Sequence, residues 1–465
     1  MNFVKKKIKE FSSQVCLINK DKSKIFYKSL FQNISKKLET LEKKSVILTL
    51  AENNSAFIKS YFYFLGKGIV QIIVNFNINK KFLHNIINLY KPNYIFVNKN
   101  YEFIDDKYKL YNQIGDFELF RQKKYKKIKL DENLAILLTT SGSTGSSKFV
   151  KLSYTNILDN TKNIIKYLDI KKNHRTITTM PPSYSYALSI LNTHFYSGAS
   201  IVINNFSILE RNFWNIIKEL KVNSFGGVPY HYEILKKIKF DKIILPDLKY
   251  ITQAGGPLNK EITKYFLKTC IDKKIDFITM YGQTEASPRI SYLPFKIAFK
   301  KIGSIGKAIP GGKIVLKKNK KSDDIGEIVY YGKNVFIGYS KSYKDLTKSK
   351  KKIKALFTGD LGKKDRDGFF YITGRKNRII KIAGHRINLD ELRDIVKNKG
   401  YDCHFLEKNQ KILAFIKEEN TNNELLTTIS SEIKLSKNLF DLKKIKEFPL
   451  NERGKIDYLK LQLIK

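Results

Sequence analysis

Apolar and polar residues alternate with two different periods along the first hundred residues. Short continuous apolar runs predict buried strands, and the stretches between them place their apolar residues on one helical face. The predicted strands are 45–50, 69–74 and 94–97, and the predicted helices are 55–65 and 79–90. Strands that alternate with helices are typical of a largely parallel sheet covered by helices, so the pattern predicts an α/β domain.

The alternation resumes after residue 130 and continues to residue 280. Further strands are predicted at 134–138, 149–152, 199–204, 225–228, 249–253 and 275–280. Ser153 can cap the helix that follows the second of these, because its hydroxyl can accept a backbone hydrogen bond in the first helical turn. The polar segment 107–129 is predicted to lie on the surface. A turn precedes the predicted strand 369–372, and its spacing predicts a hairpin there.

A loop of small and hydroxylated residues follows the strand at 134–138. Residues 139–150 read TTSGSTGSSKFV, in which Gly142 and Gly145 permit tight turns. Small side chains let backbone N–H groups approach a polyphosphate, and Lys148 adds a positive charge for its oxygens. A flexible linker has the same composition. The strand before the loop and the lysine at its end favour phosphate binding instead.

This loop differs from the loop of P-loop nucleoside triphosphatases. The pattern G-x-x-x-x-G-K-[ST], started at Gly142, requires glycine at 147 and serine or threonine at 149. The chain has Ser147 and Phe149 at these positions, and a predicted strand rather than a helix follows the lysine. The sequence therefore disfavours a P-loop enzyme.

Composition and charge exclude few classes of protein. The chain has 465 residues, of which 42% are hydrophobic, which fits a folded protein of two or more domains. The net charge of +44 comes mainly from lysine, which is spread through every segment. This even spread favours a general bias in amino-acid usage, rather than a nucleic-acid-binding surface, as the source of the charge. Anionic small molecules or an acidic carrier protein would also be attracted by this charge.

Cysteine usage and the N-terminus suggest a cytoplasmic protein. The three cysteines are widely spaced and indicate neither a disulfide framework nor a metal site. The N-terminus, MNFVKKKIKEF, lacks an apolar stretch after its lysines, so no secretory signal is predicted. The most apolar segment, 60–76, is interrupted by Lys67 and two glycines, so no membrane span is predicted.

Three later motifs carry groups suited to a nucleotide. Gly255 and Gly256 follow a predicted strand at the end where ligands bind in open α/β sheets, although a simple turn is the alternative. The motif Tyr281-Gly-Gln-Thr-Glu285 offers a ring for stacking and a carboxylate for Mg²⁺, although an ordinary strand edge can also end this way. Asp360, beside a glycine, is suited to hydrogen-bond a ribose diol.

Taken together, these motifs resemble those of the adenylate-forming superfamily, which contains acyl-CoA synthetases, peptide-synthetase adenylation domains and luciferases. The loop at 139–150 is similar to T-S-G-[ST]-T-G-x-P-K-G-V, with Ser147 and Phe149 in place of the usual proline and glycine. Residues 281–285 match Y-G-x-T-E without a departure, and Gly338-Tyr339 matches a segment that is expected to be architectural.

Two motifs near the C-terminus extend the resemblance. Residues 374–377, Gly-Arg-Lys-Asn, are similar to the hinge motif G-R-x-[DK], with Asn377 at the hinge position. Residues 449–455 resemble the P-x-x-x-x-G-K loop that carries the superfamily's catalytic lysine. The resemblance implies a large N-terminal α/β domain, residues 1–375, and a small C-terminal α+β lid, residues 376–465.

The resemblance also implies an AMP-forming carboxylate ligase and a role for each matching residue. The carboxylate of a small acid attacks the α-phosphorus of ATP with release of pyrophosphate, and the acyl group then passes to coenzyme A or to carrier-protein phosphopantetheine. The implied catalytic residues are Lys455, Glu285 (also the Mg²⁺ ligand) and Thr284. The implied ATP-binding residues are Thr140, Ser141, Gly142, Ser143, Thr144, Gly145, Lys148, Gly255, Gly256, Tyr281, Gly282, Asp360 and Arg375. The acyl pocket is implied at Tyr184, Tyr186 and Gly256, and the hinge and thiol channel at Asn377, Gly384 and Arg386.

The residues around the implied acyl pocket restrict the acid. No Asp or Glu occurs from 180 to 207, so an amino acid is disfavoured because its ammonium group would be buried unpaired. Aromatic and small residues there suit a neutral acyl or aryl chain. Arg289 could pair with the second carboxylate of a diacid, but an exposed, solvated arginine is the favoured interpretation.

Three functions follow from these observations. An acyl–CoA ligase is the leading hypothesis, and the same adenylation with a carrier protein as acceptor is the near alternative. A basic binding protein on an inactive fold is the distant alternative, which would bind RNA or DNA in a salt-dependent manner.

Overall fold

The computed structural model describes residues 3–103, 105–124, 129–139, 148–318, 320, 322–347, 353–382, 385–409, 411–417, 426–427, 429–430, 436–450 and 456–464. The chain divides into two compact units. The large unit comprises Met1–Lys313 and Tyr330–Leu356, and the small unit comprises Ile314–Val329 and Phe357–Lys465. The division into compact units does not test the predicted hinge position. The domain boundary predicted after Arg375 therefore stays a prediction.

The described strands are numbered here in chain order. The first sixteen are β1 Val15–Ile18, β2 Lys24–Phe26, β3 Val46–Ala51, β4 Val70–Asn75, β5 Tyr94–Asn98, β6 Tyr108–Ile114, β7 Phe117–Gln122, β8 Leu134–Thr139, β9 Phe149–Ser153, β10 Arg175–Ile177, β11 Ser200–Val202, β12 Ser224–Gly227, β13 Tyr250–Gln253, β14 Asp276–Gly282, β15 Arg289–Leu293 and β16 Lys307–Ala308. The others are β17 Lys313–Lys317, β18 Gly326–Tyr331, β19 Gly338–Ser340, β20 Leu356–Lys364, β21 Phe370–Arg375, β22 Ile379–Ile382, β23 His385–Asn388, β24 Cys403–Lys408, β25 Lys411–Lys417 and β26 Phe440–Ile445.

The described α-helices are α1 Phe3–Glu10, α2 Ser35–Leu38, α3 Ser55–Lys67, α4 Lys80–Tyr90, α5 Tyr154–Leu168, α6 Ser185–Tyr196, α7 Arg211–Glu219, α8 Pro229–Lys237, α9 Lys260–Asp272, α10 Phe295–Ala298, α11 Leu389–Asn398 and α12 Tyr458–Leu463. Asn54 and Asn79 cap α3 and α4 through their side-chain oxygens. Ser153 caps α5 as predicted, and its hydroxyl accepts from the Asn156 N–H while Asn156 Oδ1 accepts from the Ser153 N–H.

The first sheet of the large unit has eight strands in the order β19-β9-β8-β4-β3-β5-β7-β6. Its central strands β8, β4, β3 and β5 are parallel. Strand β3 is buried at every position, as expected for a parallel strand covered on both faces. The predicted alternation in the first hundred residues therefore forms the centre of this sheet.

The second sheet of the large unit has nine strands in the order β16-β15-β14-β13-β12-β10-β11-β1-β2. The strands from β1 to β14 in this order are parallel, and β15, β16 and β2 run antiparallel at the two edges. The carboxyl ends of the neighbouring strands β13 and β14 therefore bring Gly255 and Tyr281 to the same edge of the sheet.

The segment 107–129 is not simply a polar surface segment, so that prediction is wrong. It contains β6 and β7, which form an antiparallel hairpin at the edge of the first sheet. Ile114, Phe117 and Leu119 are buried there. The lysines between them obscure the alternating apolar positions in the sequence.

The small unit has a mixed α+β architecture, as predicted for the C-terminal part. It contains a four-stranded sheet in the order β17-β18-β20-β21, a β22–β23 hairpin and the sheet β24-β25-β26. Strands β20 and β21 form the hairpin expected near 369–372. Helix α11 packs on β24, with Leu392, Val396 and Phe405 in the shared core. Within the described part of the chain, no helix has both the length and the apolarity to cross a membrane.

A buried asparagine network fixes the turn between β14 and β15 in the large unit. Asn334 is fully buried, and its Nδ2 donates to the carbonyl oxygens of Ala286 (2.6 Å) and Arg289 (2.8 Å). Its Oδ1 accepts from the Tyr330 hydroxyl at 2.9 Å. The amide of Asn160, on α5, donates to the same Arg289 carbonyl at 3.1 Å. The turn is thus held by side chains from two distant segments.

We predict that Asn334→Ala destabilises the large unit by roughly 2–4 kcal/mol, because the substitution leaves buried polar groups without partners. The measurement is urea unfolding followed by the fluorescence of Trp214, the one tryptophan of the chain, which lies in this unit. The control is Asn163→Ala, since that amide bonds to Asp159 within α5, and we expect a change below about 0.5 kcal/mol. Equal losses in both variants would contradict the role of the network.

Candidate active site

The predicted phosphate loop lies between the paired strands β8 and β9. Their register places Thr139 opposite Phe149, so the loop residues connect two antiparallel strands. Residues 140–147, which include Thr140, Ser141, Gly142, Ser143, Thr144 and Gly145, lie outside the described residues. Their contacts with a phosphate stay a prediction.

Phe149 explains one departure from the superfamily's loop motif. Its side chain is fully buried, and its ring packs edge-on against Tyr90 with 5.2 Å between ring centres. A glycine at this position would leave that part of the core unfilled. The departure therefore serves packing on the sheet behind the loop.

Glu285 and Lys148 contact the same tyrosine. Glu285 lies in a 3₁₀ turn, Thr284–Ala286, and is 9% exposed. The hydroxyl of Tyr339 donates to Glu285 Oε1 at 2.9 Å, and Lys148 Nζ lies 3.6 Å from the centre of the Tyr339 ring. This arrangement brings the lysine of the predicted phosphate loop close to the carboxylate of the Tyr281–Glu285 motif.

The electrostatics of this cluster keep Tyr339 as a hydrogen-bond donor. Burial raises the pKa of Tyr339, and the neighbouring charge of Glu285 raises it further. The hydroxyl therefore stays protonated over the physiological pH range. The sequence motif predicts only an architectural role for Gly338-Tyr339. The tyrosine that follows the glycine is the feature of the sequence that could have indicated this contact.

The chemistry of Glu285 suits a Mg²⁺ ion that arrives with a nucleotide. Magnesium bound with phosphates commonly takes one or two carboxylates from the protein. In the described ranges no lysine, arginine or histidine forms an ion pair with Glu285, and Tyr339 is its one side-chain donor. The carboxylate thus keeps coordination capacity for a cation.

Tyr281 and Gly282 end strand β14, next to the turn that carries Glu285. A Cβ atom at Gly282 would lie 1.9 Å from the carbonyl oxygen of Pro288. Only glycine fits this close approach of two backbone segments, so Gly282 shapes the turn. This role in the turn does not test the predicted contact of Gly282 with ATP, which stays a prediction.

The glycine turn after β13 lies against the predicted acyl pocket. A Cβ atom at Gly255 would lie 2.5 Å from the Tyr184 hydroxyl, and its φ of +92° also favours glycine. The amide of Gln253 donates to the Gly256 carbonyl at 2.8 Å, which closes the turn. The buried hydroxyl of Thr284 lies 3.2 Å from that of Ser185, at the start of α6. These contacts place the Gly255 turn beside Tyr184, and Thr284 beside the start of α6.

Arg289 is buried, so the expectation of an exposed and solvated arginine is wrong. The residue is 2% exposed, and its guanidinium carbon lies 4.4 Å from the centre of the Tyr186 ring. Its Nη2 donates to Ser189 Oγ at 3.2 Å. The sequence could not show this because Arg289 follows the turn, and only the β14–β15 pairing directs it inward.

In the small unit, Asp360 and Arg375 lie together. Arg375 Nε donates to Asp360 Oδ1 at 2.9 Å, and the aspartate is buried within β20. Their predicted contacts with ribose and phosphate stay predictions. Asn377 lies in a 3₁₀ turn, Lys376–Arg378, and Arg386 lies in β23, but their side chains are not described. Gly384 and Lys455 lie outside the described residues.

The fold matches solved structures over its full length. O-succinylbenzoate coenzyme A synthetase (MenE) from Bacillus subtilis, solved with ATP and magnesium ion, aligns with a TM-score of 0.79 at 19% identity and covers 99% of each chain. ATP-bound MatB from Rhodopseudomonas palustris aligns with a TM-score of 0.77 at 16% identity, over 99% of this chain and 98% of that one. The predicted fold, a large α/β part with a smaller C-terminal part, is thereby confirmed.

Curated relatives match a shorter part of the chain. The 2-succinylbenzoate–CoA ligase of Listeria innocua is 27% identical over 263 residues, 56% of this chain and 53% of the relative. The long-chain-fatty-acid–CoA ligase of Bacillus subtilis is 30% identical over 278 residues, 58% of this chain and 48% of the relative. The matches thus span about half the length of these relatives.

The family model for AMP-binding enzymes matches residues 6–340, which contain the loop at 139–150, the Tyr281–Glu285 motif and Tyr339. This match covers well over half of the chain and confirms the resemblance inferred from the motifs. The chain belongs to the AMP-binding enzyme family, which is the adenylate-forming superfamily that its motifs resemble.

Proposed function

We propose that this protein is an AMP-forming acid–thiol ligase. It converts a carboxylic acid and ATP to an acyl-adenylate and pyrophosphate, and then transfers the acyl group to coenzyme A with release of AMP. The observation that carries the proposal is the Lys148–Tyr339–Glu285 cluster, which joins the two nucleotide motifs of the family in one unit. The coenzyme A ligases among the relatives support the choice of reaction.

The first half-reaction needs charge neutralisation at the phosphates of ATP. The substrate carboxylate forms a bond to the α-phosphorus, and the bond to the bridging oxygen of pyrophosphate breaks. Lys148 and the hydroxyls of residues 140–144 would hold the departing pyrophosphate. Glu285 would hold Mg²⁺, which when bound neutralises phosphate oxygens. Lys455 would stabilise the charge that grows between the carboxylate and the α-phosphate.

The nucleoside and the acyl group would occupy neighbouring parts of the large unit. Tyr281 and the Gly255–Gly256 turn would pack on adenine, and Tyr184, Tyr186 and Gly256 would line the acyl pocket. From the small unit, Asp360 would hold the ribose and Arg375 the phosphate–ribose side. These roles rest on the family's motifs and on the contacts within each unit.

The second half-reaction would use a different orientation of the C-terminal part. Rotation about Asn377 would withdraw Lys455 and bring the segment of Gly384 and Arg386 to a channel for the thiol. The thiol sulfur would then attack the acyl carbonyl and AMP would leave. Such a division lets one pocket serve two reactions.

An acidic acyl carrier protein is the alternative acceptor, and the net charge of +44 is the observation that favours it. Thioester formation on coenzyme A should be compared with formation on a phosphopantetheinylated carrier protein, at low and at raised salt. A cytoplasmic location is part of the same proposal, supported by three buried cysteines without disulfide bonds.

The test of the proposed function is acid-dependent exchange between ATP and radiolabelled pyrophosphate. Acetate, medium- and long-chain fatty acids, aryl acids, dicarboxylic acids and D-alanine should be screened, and we expect exchange with at least one class other than the amino acid. Salt-dependent RNA or DNA binding without exchange for any acid would favour the non-catalytic alternative.

We predict that Lys455→Ala abolishes the exchange but spares thioester formation from supplied acyl-adenylate, because the lysine acts in the first half-reaction only. Loss of one such stabilising group typically lowers the rate about 10²–10³-fold. Lys446→Ala removes an exposed lysine that precedes Lys455 in the sequence and should leave both half-reactions unchanged. Retained exchange in Lys455→Ala would refute the assigned role.

We predict that Glu285→Gln lowers exchange by about 10²-fold or more and raises the Mg²⁺ concentration needed for half-maximal rate, because a charged ligand is lost. Tyr339→Phe keeps the carboxylate and removes only its hydrogen bond, so we expect a loss of about tenfold or less. The measurement is the exchange rate as a function of Mg²⁺ at saturating acid. An unchanged Mg²⁺ dependence in Glu285→Gln would contradict the assignment.

A further inference from the structure

Arg289 is a buried cation that has no carboxylate partner in the described part of the chain. The residue is 2% exposed, and among the described residues no Asp or Glu forms an ion pair with its guanidinium. Its Nε, also buried, has no hydrogen-bond partner. Its contacts are with Ser189 Oγ at 3.2 Å, with the face of the Tyr186 ring at 4.4 Å and with the hydroxyl of Tyr167.

These neutral contacts compensate the buried charge only in part. Two hydroxyls and a ring face attract the cation, but they do not replace the hydration that a guanidinium loses on burial. Charged groups buried in proteins are normally paired with an opposite charge. Burial raises the pKa of Tyr167 to about 12, and the nearby charge of Arg289 offsets part of this rise, so this tyrosine remains neutral. Arg289 therefore has unsatisfied capacity for an anion.

The guanidinium lines a cavity in the large unit. This cavity is narrow, with a volume of about 20 Å³, which is little more than one water molecule requires. Its other lining residues include Leu168, Tyr186, Ile190, Phe225 and Met280. Among the described residues that line it, Arg289 is the single fully charged side chain and none is Asp or Glu. An anion, but not an ammonium group, would be stabilised there.

The cavity lies next to the pocket proposed for the acyl group. Tyr186 lines the cavity, and its ring centre is 6.3 Å from that of Tyr184. Tyr184 in turn contacts the Gly255 turn, since a Cβ atom at Gly255 would lie 2.5 Å from its hydroxyl. An acid activated beside that turn would thus extend past the two tyrosines towards Arg289.

We propose that Arg289 binds a second carboxylate of the substrate, so that this protein activates dicarboxylic acids. One carboxylate reacts with ATP while the other pairs with Arg289 in the cavity, with Ser189 and Tyr186 holding the guanidinium in place. This inference rests on the proposed ligase function and adds the substrate class to it.

The test compares each dicarboxylic acid with its own monomethyl ester in the pyrophosphate exchange assay. Succinate, glutarate, adipate and an aryl dicarboxylate are the probes, because the spacing of the two carboxylates is unknown. The wild-type protein should use at least one diacid with a kcat/KM about 100-fold or more above that of its ester, since truncating one member of a buried charge pair commonly costs that much.

Variants of Arg289 test the residue itself. Arg289→Met should bring the ratio of diacid to ester close to 1 through loss of the diacid rate, and Arg289→Lys should restore part of the ratio. Arg211→Met, which removes an exposed arginine, should keep the wild-type ratio. ATP binding and the melting temperature of each variant show whether it is folded.

The outcomes separate this inference from the proposed function. Exchange with monocarboxylic acids or esters that equals or exceeds exchange with every diacid would overturn the role of Arg289 and leave the ligase standing. An equal loss for diacid and ester in a folded Arg289→Met would also overturn it. Absence of exchange with every acid would overturn both. If Arg289→Met does not fold, the wild-type ratio alone decides.

Discussion

The buried amide of Asn334 is the interaction on which the site in the large unit depends. It joins the carbonyl oxygens of Ala286 and Arg289 across one short turn, and Asn160 adds a second bond to the latter. Backbone carbonyls buried without donors would be costly, so this turn has few alternative conformations. The turn places Glu285 beside Tyr339 and Lys148 at one end and Arg289 in the cavity at the other.

Two of the arginines considered for ligand binding have contrasting electrostatic environments. Arg375 is mostly exposed and pairs with the buried Asp360, so its charge is already compensated within the small unit. Arg289 is buried and contacts only neutral groups among the described residues. The pair has one exposed and one buried member and needs no ligand for compensation, whereas a buried unpaired charge is tolerated where it serves a ligand. This contrast is why Arg289, rather than Arg375, informs the choice of substrate.

The sequence predicted the α/β core, the Ser153 cap and the family, because each depends on local pattern or on motifs of fixed spacing. It did not predict the β6–β7 hairpin, whose apolar positions are interrupted by lysines. It also did not predict the roles of Tyr339 and Asn334, because their hydrogen bonds join residues about fifty positions apart in the sequence. The burial of Arg289 follows from strand pairing, which hydrophobic periodicity alone does not specify. Local features were thus accessible, and long-range polar contacts were not.

The central claim is that the substrate carboxylate attacks the α-phosphorus of ATP. The most direct measurement uses the best acid from the exchange screen, labelled with ¹⁸O in its carboxylate, in the complete reaction with ATP and coenzyme A. The account predicts one ¹⁸O atom in the AMP that is released, because the oxygen that attacks phosphorus stays with it when the thiol takes the acyl group. Label found in inorganic phosphate, with ADP as the nucleotide product, would contradict it.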